Sequence, residues 1–368
     1  MATTLSRREL NRATLERQFL LRRAERPATE VLSHLAGLQA QTTHTWYVGF
    51  QSRMADPDPH GVGRLLTEGT LVRMSLMRST LHLVSAEDAA WMRPTTQEVM
   101  ERDLSHGSHG KGTAGLDLEA VVTLGRKILE ERPLSPKELG DRIGAHWEGV
   151  DGEHLAYVVR CLLPVVQIPP RGVWGASGQP VLAPADTWTG LPMAPGPDRE
   201  RLVLRYLAAF GPASVMDVQA WSGLTRLKAV VEGLRERLVS FRDPSGTELF
   251  DLPDAPRPSA DVPAPVRFLY DFDNLLRGHA DRSRVVSDEN LRGLSARNGM
   301  PPATVLVDGE VSASWRVDRG RGTPSLDITP FRAFNNSEIE EITDEGDRLL
   351  TFLHPGQETA GPRFTDRT

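Results

Sequence analysis

The spacing of apolar residues in the middle of the chain predicts three helices followed by a two-stranded hairpin. Apolar residues recur with a helical period from Val121 to Ile128. Ser135 and Glu138 then form a capping-box pattern, with Pro136 at the favoured first position of a second helix. A third helix and two β-like runs follow before residue 184. This order of helices and strands is typical of a winged-helix motif.

The same order recurs on both sides of this segment. Between residues 201 and 252, apolar stripes predict three helices, and a Pro-Ser-Gly turn predicts a hairpin. Near the start of the chain, a capping box at Ser6 and Glu9 predicts one helix, and a second is predicted over 29–38. A further helix and a hairpin at 71–84 complete this first, looser repeat.

Beyond residue 266 the pattern changes from helical stripes to short β-like runs. Asp308-Gly309 is a strong signal for a tight hairpin turn. The predicted strands lie at 266–273, 304–307, 311–317, 326–331 and 349–353. Together they predict a small, barrel-like β domain.

The whole chain is therefore predicted to be an α+β protein with three tandem winged-helix motifs and a small C-terminal β-barrel-like domain. The predicted units cover residues 1–102, 116–184, 199–252 and 266–354. Segments rich in glycine, serine, histidine or proline at 103–115, 184–198 and 253–265 are predicted to be linkers.

Composition places the chain of 368 residues among soluble, folded proteins, with 39% hydrophobic and 25% charged residues. No apolar run approaches the length of a membrane span and no secretory signal opens the chain, so we predict a cytoplasmic protein. The single cysteine, Cys161, excludes an intramolecular disulfide and a Cys-based zinc site. His106 and His109 lack a third ligand, so neither a metal nor a cofactor is predicted.

The net charge of −6 counts against nucleic acid when it is taken as an average over the chain. The 43 basic residues include only four lysines, however, and arginine is the planar, forked donor suited to phosphate groups. Codon bias would give the same composition. The first 26 residues carry an excess of positive charge, and residues 338–347 form an acidic run. We therefore expect one basic face and one acidic face.

Winged-helix motifs most often bind DNA, with a helix in the major groove and the wing on the backbone. One copy would indicate a transcriptional regulator. Three copies in one chain, followed by a β domain, are harder to explain in that way.

Three blocks of the sequence carry a resemblance to a known family. They read LAGLQAQ at 35–41, VRMSLMRSTLHL at 72–83 and NLLRGHADRSR at 274–284. In these blocks, and in length, the chain is similar to the AlkZ/YcaQ family of bacterial DNA glycosylases. Ser79 stands where the family pattern leads us to expect glycine.

The resemblance implies tandem winged-helix motifs and a C-terminal β-barrel, arranged as a C-shape around DNA. It implies excision of N7-alkylated purines, including the bases of interstrand crosslinks, and self-resistance to a DNA-alkylating natural product. The expected partner is duplex DNA with alkylated or crosslinked guanine, bound by a monomer without a cofactor. The family's catalytic signature, Gln followed by an apolar residue and then Gln or Asp, is matched by Gln39-Ala40-Gln41.

The residues of this signature also make chemical sense on their own. If the segment is extended, Gln39 and Gln41 emerge on one face while Ala40 points inward. Two amide groups could then hold a water or face a positively charged sugar. Taken alone, this weak pattern is better explained by two solvated polar residues at the end of a helix; the resemblance reverses this preference and favours the catalytic interpretation. Because no lysine lies near the signature to form a Schiff base, a monofunctional enzyme is predicted.

Other polar residues are candidates for DNA contacts, although solvated or ion-paired roles explain them as simply. These candidates are Arg73, Arg78, His82, His279, Arg282, Arg284, Arg319 and Arg321. Strand alternation places Arg73 and Arg78 on opposite faces. Two alternative functions remain open: a non-catalytic DNA-binding regulator, and a protein that sequesters a small genotoxin.

Overall fold

The computed structural model describes residues 3–291, 294, 300–318 and 323–365. Its α-helices are α1 (Arg7–Arg17), α2 (Ala28–His34), α3 (Tyr47–Arg53), α4 (Pro59–Thr67), α5 (Ala86–Thr95), α6 (Gln97–His106), α7 (Ser108–Gly112), α8 (Leu118–Glu131), α9 (Pro136–Gly144), α10 (Gly152–Leu162), α11 (Ala185–Thr189), α12 (Arg199–Phe210), α13 (Val215–Ser222), α14 (Lys228–Gly233), α15 (Asp288–Leu291) and α16 (Asn336–Leu353). Its strands are β1 (Leu38–Gln39), β2 (Leu71–Ser75), β3 (Leu81–Ser85), β4 (Val165–Gln167), β5 (Leu182–Pro184), β6 (Val239–Arg242), β7 (Glu248–Asp251), β8 (Arg267–Leu269), β9 (Ala303–Val307), β10 (Glu310–Asp318), β11 (Ser325–Pro330) and β12 (Pro362–Phe364). Short 3₁₀ helices cover Met77–Ser79, Arg235–Arg237 and Asn274–Leu276.

A sharp reversal after α2 delivers the chain into strand β1. Ala36 and Gly37 both have a positive φ, of 55° and 91°, so the helix ends before Leu38 and the next residues are extended. A Cβ on Gly37 would lie 2.6 Å from Val84 Cγ1, which leaves room for glycine alone. The predicted helix over 29–38 is therefore too long, because its last apolar residue belongs to a strand.

One antiparallel sheet joins strands from the first two predicted units in the order β1-β3-β2-β4-β5. Its outermost strand, β1, pairs with β3 through Leu38 opposite Leu83 and Gln39 opposite His82. The boundary between the first two predicted units, at 102–116, stays a prediction. The sheet contains strands from both of these units. The predicted hairpin near 244–246 is confirmed as β6 and β7.

The C-terminal strands form a second sheet in the order β12-β11-β10-β9-β8. Among the residues that the structure describes, this sheet is open and not a closed barrel. The turn at Asp308 and Gly309 is confirmed, with φ of 51° and 80°. The predicted strand at 349–353 is wrong: these residues end α16, whose buried face carries Ile342, Leu349 and Leu350 at helical spacing.

Most of the predicted linker at 103–115 is helical, because α6 extends to His106 and α7 follows. Three of the N-terminal arginines have largely buried side chains that are held in ion pairs with distant carboxylates. Arg12 pairs with Asp308, Arg17 with Asp251 and Arg23 with Glu345 of the acidic run. These ion pairs connect α1, and the residues that follow it, to the second half of the chain.

Strand β1 lies within an apolar core that is built from both ends of the sequence. Leu38, Trp46 and Phe50 from the N-terminal part pack with Phe268 and Ile328 of the C-terminal sheet. The segment that carries Gln39 is therefore held between the two parts of the chain. In the described residues, no helix combines the length and apolar character needed to cross a membrane.

Candidate active site

Gln39 is almost fully buried on the edge strand β1, with 3% of its surface exposed. Its side-chain Oε1 accepts a hydrogen bond of 2.7 Å from Nη2 of Arg78. Ala40 is fully buried, as predicted, and Gln41 is exposed. The side-chain Oε1 of Gln41 accepts from the backbone N–H of Leu81 at 3.3 Å. Both amides of the signature are thus anchored to the hairpin formed by β2 and β3.

Asn274 covers the free edge of β1 from the far end of the sequence. Its Oδ1 accepts from the backbone N–H of Gln39 at 3.4 Å, and its Nδ2 donates to the carbonyl of Gly37 at 2.5 Å. One side-chain amide therefore replaces the neighbouring strand that an edge strand lacks. The sequence offered no local signal for this contact, because it spans 235 residues.

The backbone of Ala40 is held from both sides by β2 and β3. Its N–H donates to the carbonyl of Leu81 at 2.7 Å, and its carbonyl accepts from Nη2 of Arg73 at 3.0 Å. Arg73 is buried, and desolvation, followed by repulsion from Arg171, lowers its pKa to about 10. Arg73 is a predicted DNA contact, but its side chain is buried and donates to the backbone of the signature at Ala40. Its role in the structure is to hold this backbone.

Arg78 lies in the turn between β2 and β3, not in a strand. Its φ of 55° and the φ of Ser79, 58°, are left-handed. Arg73 and Arg78 therefore do not lie in one continuous strand, and strand alternation does not determine their relative faces. The left-handed conformation at Ser79 is one that glycine adopts without strain, which explains why glycine fits this position. Nη1 of Arg78 donates to the carbonyl of Trp221, so the turn is fastened to α13.

Three further candidates for DNA contact are buried and hydrogen-bonded inside the protein. His82 is paired with Gln39 on the adjacent strand, and its Nδ1 lies 2.9 Å from the backbone carbonyl of Thr80. His279 Nε2 lies 3.0 Å from the carbonyl of Phe210, and Arg284 donates to the carbonyl of Pro212 at 3.0 Å. Because burial removes these groups from the surface, their predicted contact with DNA is replaced by a structural role.

Burial also sets the protonation state of the two histidines. Desolvation, and then the positive charge of Arg78, lower the pKa of His82 to about 3. Desolvation, and then Arg284, lower the pKa of His279 to about 3, against the attraction of Asp217. Both rings are therefore neutral near pH 7, and neither offers a positive charge to a phosphate.

Of the remaining candidates, Arg282 is partly exposed, and Arg319 and Arg321 lie outside the described residues. Arg277 was missed as a candidate although it lies within the third sequence block. It is exposed, and desolvation followed by repulsion from Arg282 lowers its pKa. Desolvation followed by repulsion from Arg277 lowers the pKa of Arg78. We call Arg78, Arg277 and Arg282 the arginine row. Arg78 is the member that contacts Gln39, and the spacing of arginines in that block is the signal that could have found Arg277 and Arg282.

A cavity of about 370 Å³ is lined by Thr43 and Thr45, which follow the signature in the sequence. Its walls include the aromatic rings of Trp174, Tyr270 and Trp315. The carboxylate of Asp271 also lines it and accepts from the hydroxyl of Thr42 at 2.5 Å and from that of Thr45 at 2.7 Å. The segment that follows Gln41 is therefore fixed by an acidic group of the C-terminal part.

Comparison with known proteins defines the class to which this chain belongs. A family model described as "DNA glycosylase AlkZ-like" matches residues 32–352, so the chain belongs to the family of AlkZ-like DNA glycosylases. The chain is 26% identical over 357 residues to the "Interstrand DNA cross-link repair glycosylase" of Streptomyces sahachiroi, and the match covers 90% of this chain and 92% of that protein.

The solved structure of the Streptomyces sahachiroi DNA glycosylase AlkZ is similar in fold. The TM-score is 0.81 at 20% identity, and the match covers 99% of this chain and 100% of that one. At this identity the likeness establishes the shared α+β fold.

Proposed function

We propose that this protein is a monofunctional DNA glycosylase that hydrolyses the N-glycosidic bond of N7-alkylated, cationic purines, including those in interstrand crosslinks. The observation that carries the proposal is the anchoring of Gln39 and Gln41 to one hairpin, at the end of the arginine row. Membership of the AlkZ-like family and the crosslink-repair name of the Streptomyces relative support it.

The charge of the lesion explains why two neutral amides would suffice. Glycoside-cleaving enzymes normally use a pair of carboxylates, one of which protonates the leaving group. An N7-alkylguanine is already positively charged, and expelling it neutralises that charge, so no general acid is needed. The enzyme then has to position a water molecule and stabilise the sugar cation. In our proposal Gln39 and Gln41 share these tasks.

The proposed DNA surface follows the arginine row. Arg277 and Arg282 are the accessible members, and their mutual repulsion would be relieved by a phosphate group between them. In this proposal three winged-helix motifs and the C-terminal sheet form a C-shaped monomer around the duplex. Arg319 and Arg321 stay candidates for DNA contact on the sequence pattern alone.

The absence of a nearby lysine supports a monofunctional mechanism. The four lysines, at 111, 127, 137 and 228, lie on none of the elements that carry Gln39, Arg78 or Asn274. We therefore expect hydrolysis to leave an intact abasic site, without a Schiff-base intermediate. In the cell, we propose that this activity protects against a DNA-alkylating natural product.

Base release from defined duplexes tests the proposal. The protein is incubated with DNA that carries 7-methylguanine, an N7-linked crosslink or uracil, and abasic sites and strand breaks are quantified separately. We expect release from the first two substrates, negligible release of uracil, and no strand break before alkali is added. Vigorous excision of uracil, or binding of alkylated DNA without base release, would contradict the proposal.

A further inference from the structure

The side chain of Gln39 is held in one orientation by Arg78. A guanidinium group only donates hydrogen bonds, so the atom 2.7 Å from Nη2 has to be the carbonyl oxygen of the amide. This contact uses one lone pair of Oε1. The second lone pair and the Nε2 group are what Gln39 can still offer to a water or a sugar.

Arg78 is itself held in an unusual position. Its other terminal nitrogen donates to the carbonyl of Trp221, and its backbone takes the left-handed conformation, which is strained for a residue other than glycine. Gly223 packs so closely that an added Cβ would lie 3.1 Å from the backbone of Arg78. The turn and α13 therefore fit together in one way.

The charge of Arg78 is not balanced by an acidic neighbour within the described part of the chain. Desolvation, and then repulsion from Arg277, lower its pKa to about 10. Both the backbone strain and the desolvated charge oppose folding, so stability alone does not explain this residue. The arrangement does, however, orient the side chain of Gln39, which accepts a hydrogen bond from Arg78.

We propose that Arg78 is a positioning residue for Gln39, which fixes the amide so that its remaining lone pair and its Nε2 group face the reacting sugar and water. This inference rests on the proposed glycosylase function and adds a residue to its site. A positive charge would repel the developing sugar cation, so Arg78 contributes through the geometry of Gln39 and not through its own charge.

Single-turnover base release from 7-methylguanine duplex, at saturating enzyme, tests this role with Arg78→Gly and Arg78→Lys. Glycine suits the left-handed backbone, so the variant removes the side chain without adding strain. We expect Arg78→Gly to lower the saturated rate by about a hundredfold, as misplacement of a reacting group does. Guanidinium ion, added below the concentration that unfolds the protein, should restore part of this rate, and Arg78→Lys should retain an intermediate rate.

Arg102→Ala is the matched control. Arg102 donates to the carbonyl of Gly223, two residues from the carbonyl that Arg78 binds, but it does not touch Gln39. We expect this variant to keep the wild-type saturated rate. An equal loss in Arg102→Ala, or no recovery of Arg78→Gly with guanidinium, would show that Arg78 only supports the fold and would overturn the proposal.

DNA affinity, measured by fluorescence anisotropy on the same duplex, separates positioning from phosphate binding. An Arg78→Gly variant with weakened affinity and an unchanged saturated rate would overturn the proposal, because Arg78 would then act only on DNA. Gln39→Ala is measured in parallel. If Gln39→Ala keeps the wild-type rate, the proposed function of Gln39 fails; if it is inactive while Arg78→Gly is not, only the present inference fails.

Discussion

Arg53 and Asp273 form a doubly hydrogen-bonded ion pair in which neither side chain is accessible to solvent. The two distances are 2.8 Å and 2.7 Å. Asp273 also accepts from the backbone N–H of Leu275 at 2.9 Å. The pair therefore joins α3 to the 3₁₀ helix that begins with Asn274, the residue that covers the edge of β1.

Removal of one partner of this pair should destabilise the whole protein. We expect Asp273→Ala to lower the free energy of unfolding by about 3–5 kcal/mol, because it leaves the Arg53 charge buried and unpaired. Urea denaturation measures this loss. The exposed pair Lys137–Asp141 is the control, and Asp141→Ala should leave the stability almost unchanged, because solvent screens this pair. Similar losses in both variants would contradict the account.

Asn274→Asp tests the amide that replaces a neighbouring strand. Aspartate can still accept from the N–H of Gln39, but it cannot donate to the carbonyl of Gly37 and places a negative charge against it. We expect a loss of about 1–3 kcal/mol in stability and a lower rate of base release. Asn290→Ala, which removes an amide contact to the carbonyl of Val311, should leave the rate unchanged. An Asn274→Asp variant with wild-type rate would show that β1 does not need this contact.

Gly37→Ala tests the reversal that places β1. The new Cβ would have to share space with Val84 Cγ1 at 2.6 Å and the carbonyl oxygen of Leu83 at 2.9 Å, on a backbone with φ of 91°. We expect destabilisation of about 2–4 kcal/mol together with reduced base release. Gly115 has a similar φ of 82° and open space around it, so Gly115→Ala should cost about 1 kcal/mol and leave activity intact.

The buried histidines predict a loss of stability toward acid. The pKa values of His82 and His279 in the folded protein, about 3, lie below the ordinary 6.5, so the unfolded chain takes up these protons first as the pH falls. Above about pH 6.5 neither ring affects the pH dependence; below it, each lowers the stability by about 1.4 kcal/mol per pH unit.

Urea denaturation between pH 7 and about pH 5 measures this slope. His279→Gln should reduce the slope, because it removes one of the two groups. An unaltered slope in His279→Gln would show that His279 is not held neutral by the fold.

The local features of the fold could be predicted from the sequence, and the contacts between distant segments could not. The capping boxes at Ser6 and Ser135 and the turn at Asp308 are found in the structure, because each depends on neighbouring residues. Residues 349–353 were assigned to a strand because a short apolar run fits either element when its partners are unknown.

The same limit applies to the candidate site. Ala40 is buried, as strand alternation predicts, but Gln39 is buried as well, so burial does not alternate along this segment. The roles of His82, His279 and Arg284 depend on the carbonyl groups that they meet, and those of His279 and Arg284 belong to segments about 70 residues away. Arg78 contacts Gln39 from a turn whose backbone is left-handed, and residue types alone do not reveal such a turn.

The most direct test of the central claim is single-turnover release of 7-methylguanine by Gln39→Ala and Gln41→Ala. Gln97→Ala is the matched control. The side-chain Oε1 of Gln97 also accepts from an arginine, Arg93, but Gln97 lies on α6 and outside the signature. We predict that each signature variant lowers the saturated rate by about tenfold or more, equivalent to at least about 1.4 kcal/mol, while DNA affinity and the rate of the control stay unchanged. Wild-type rates in both signature variants would contradict the account.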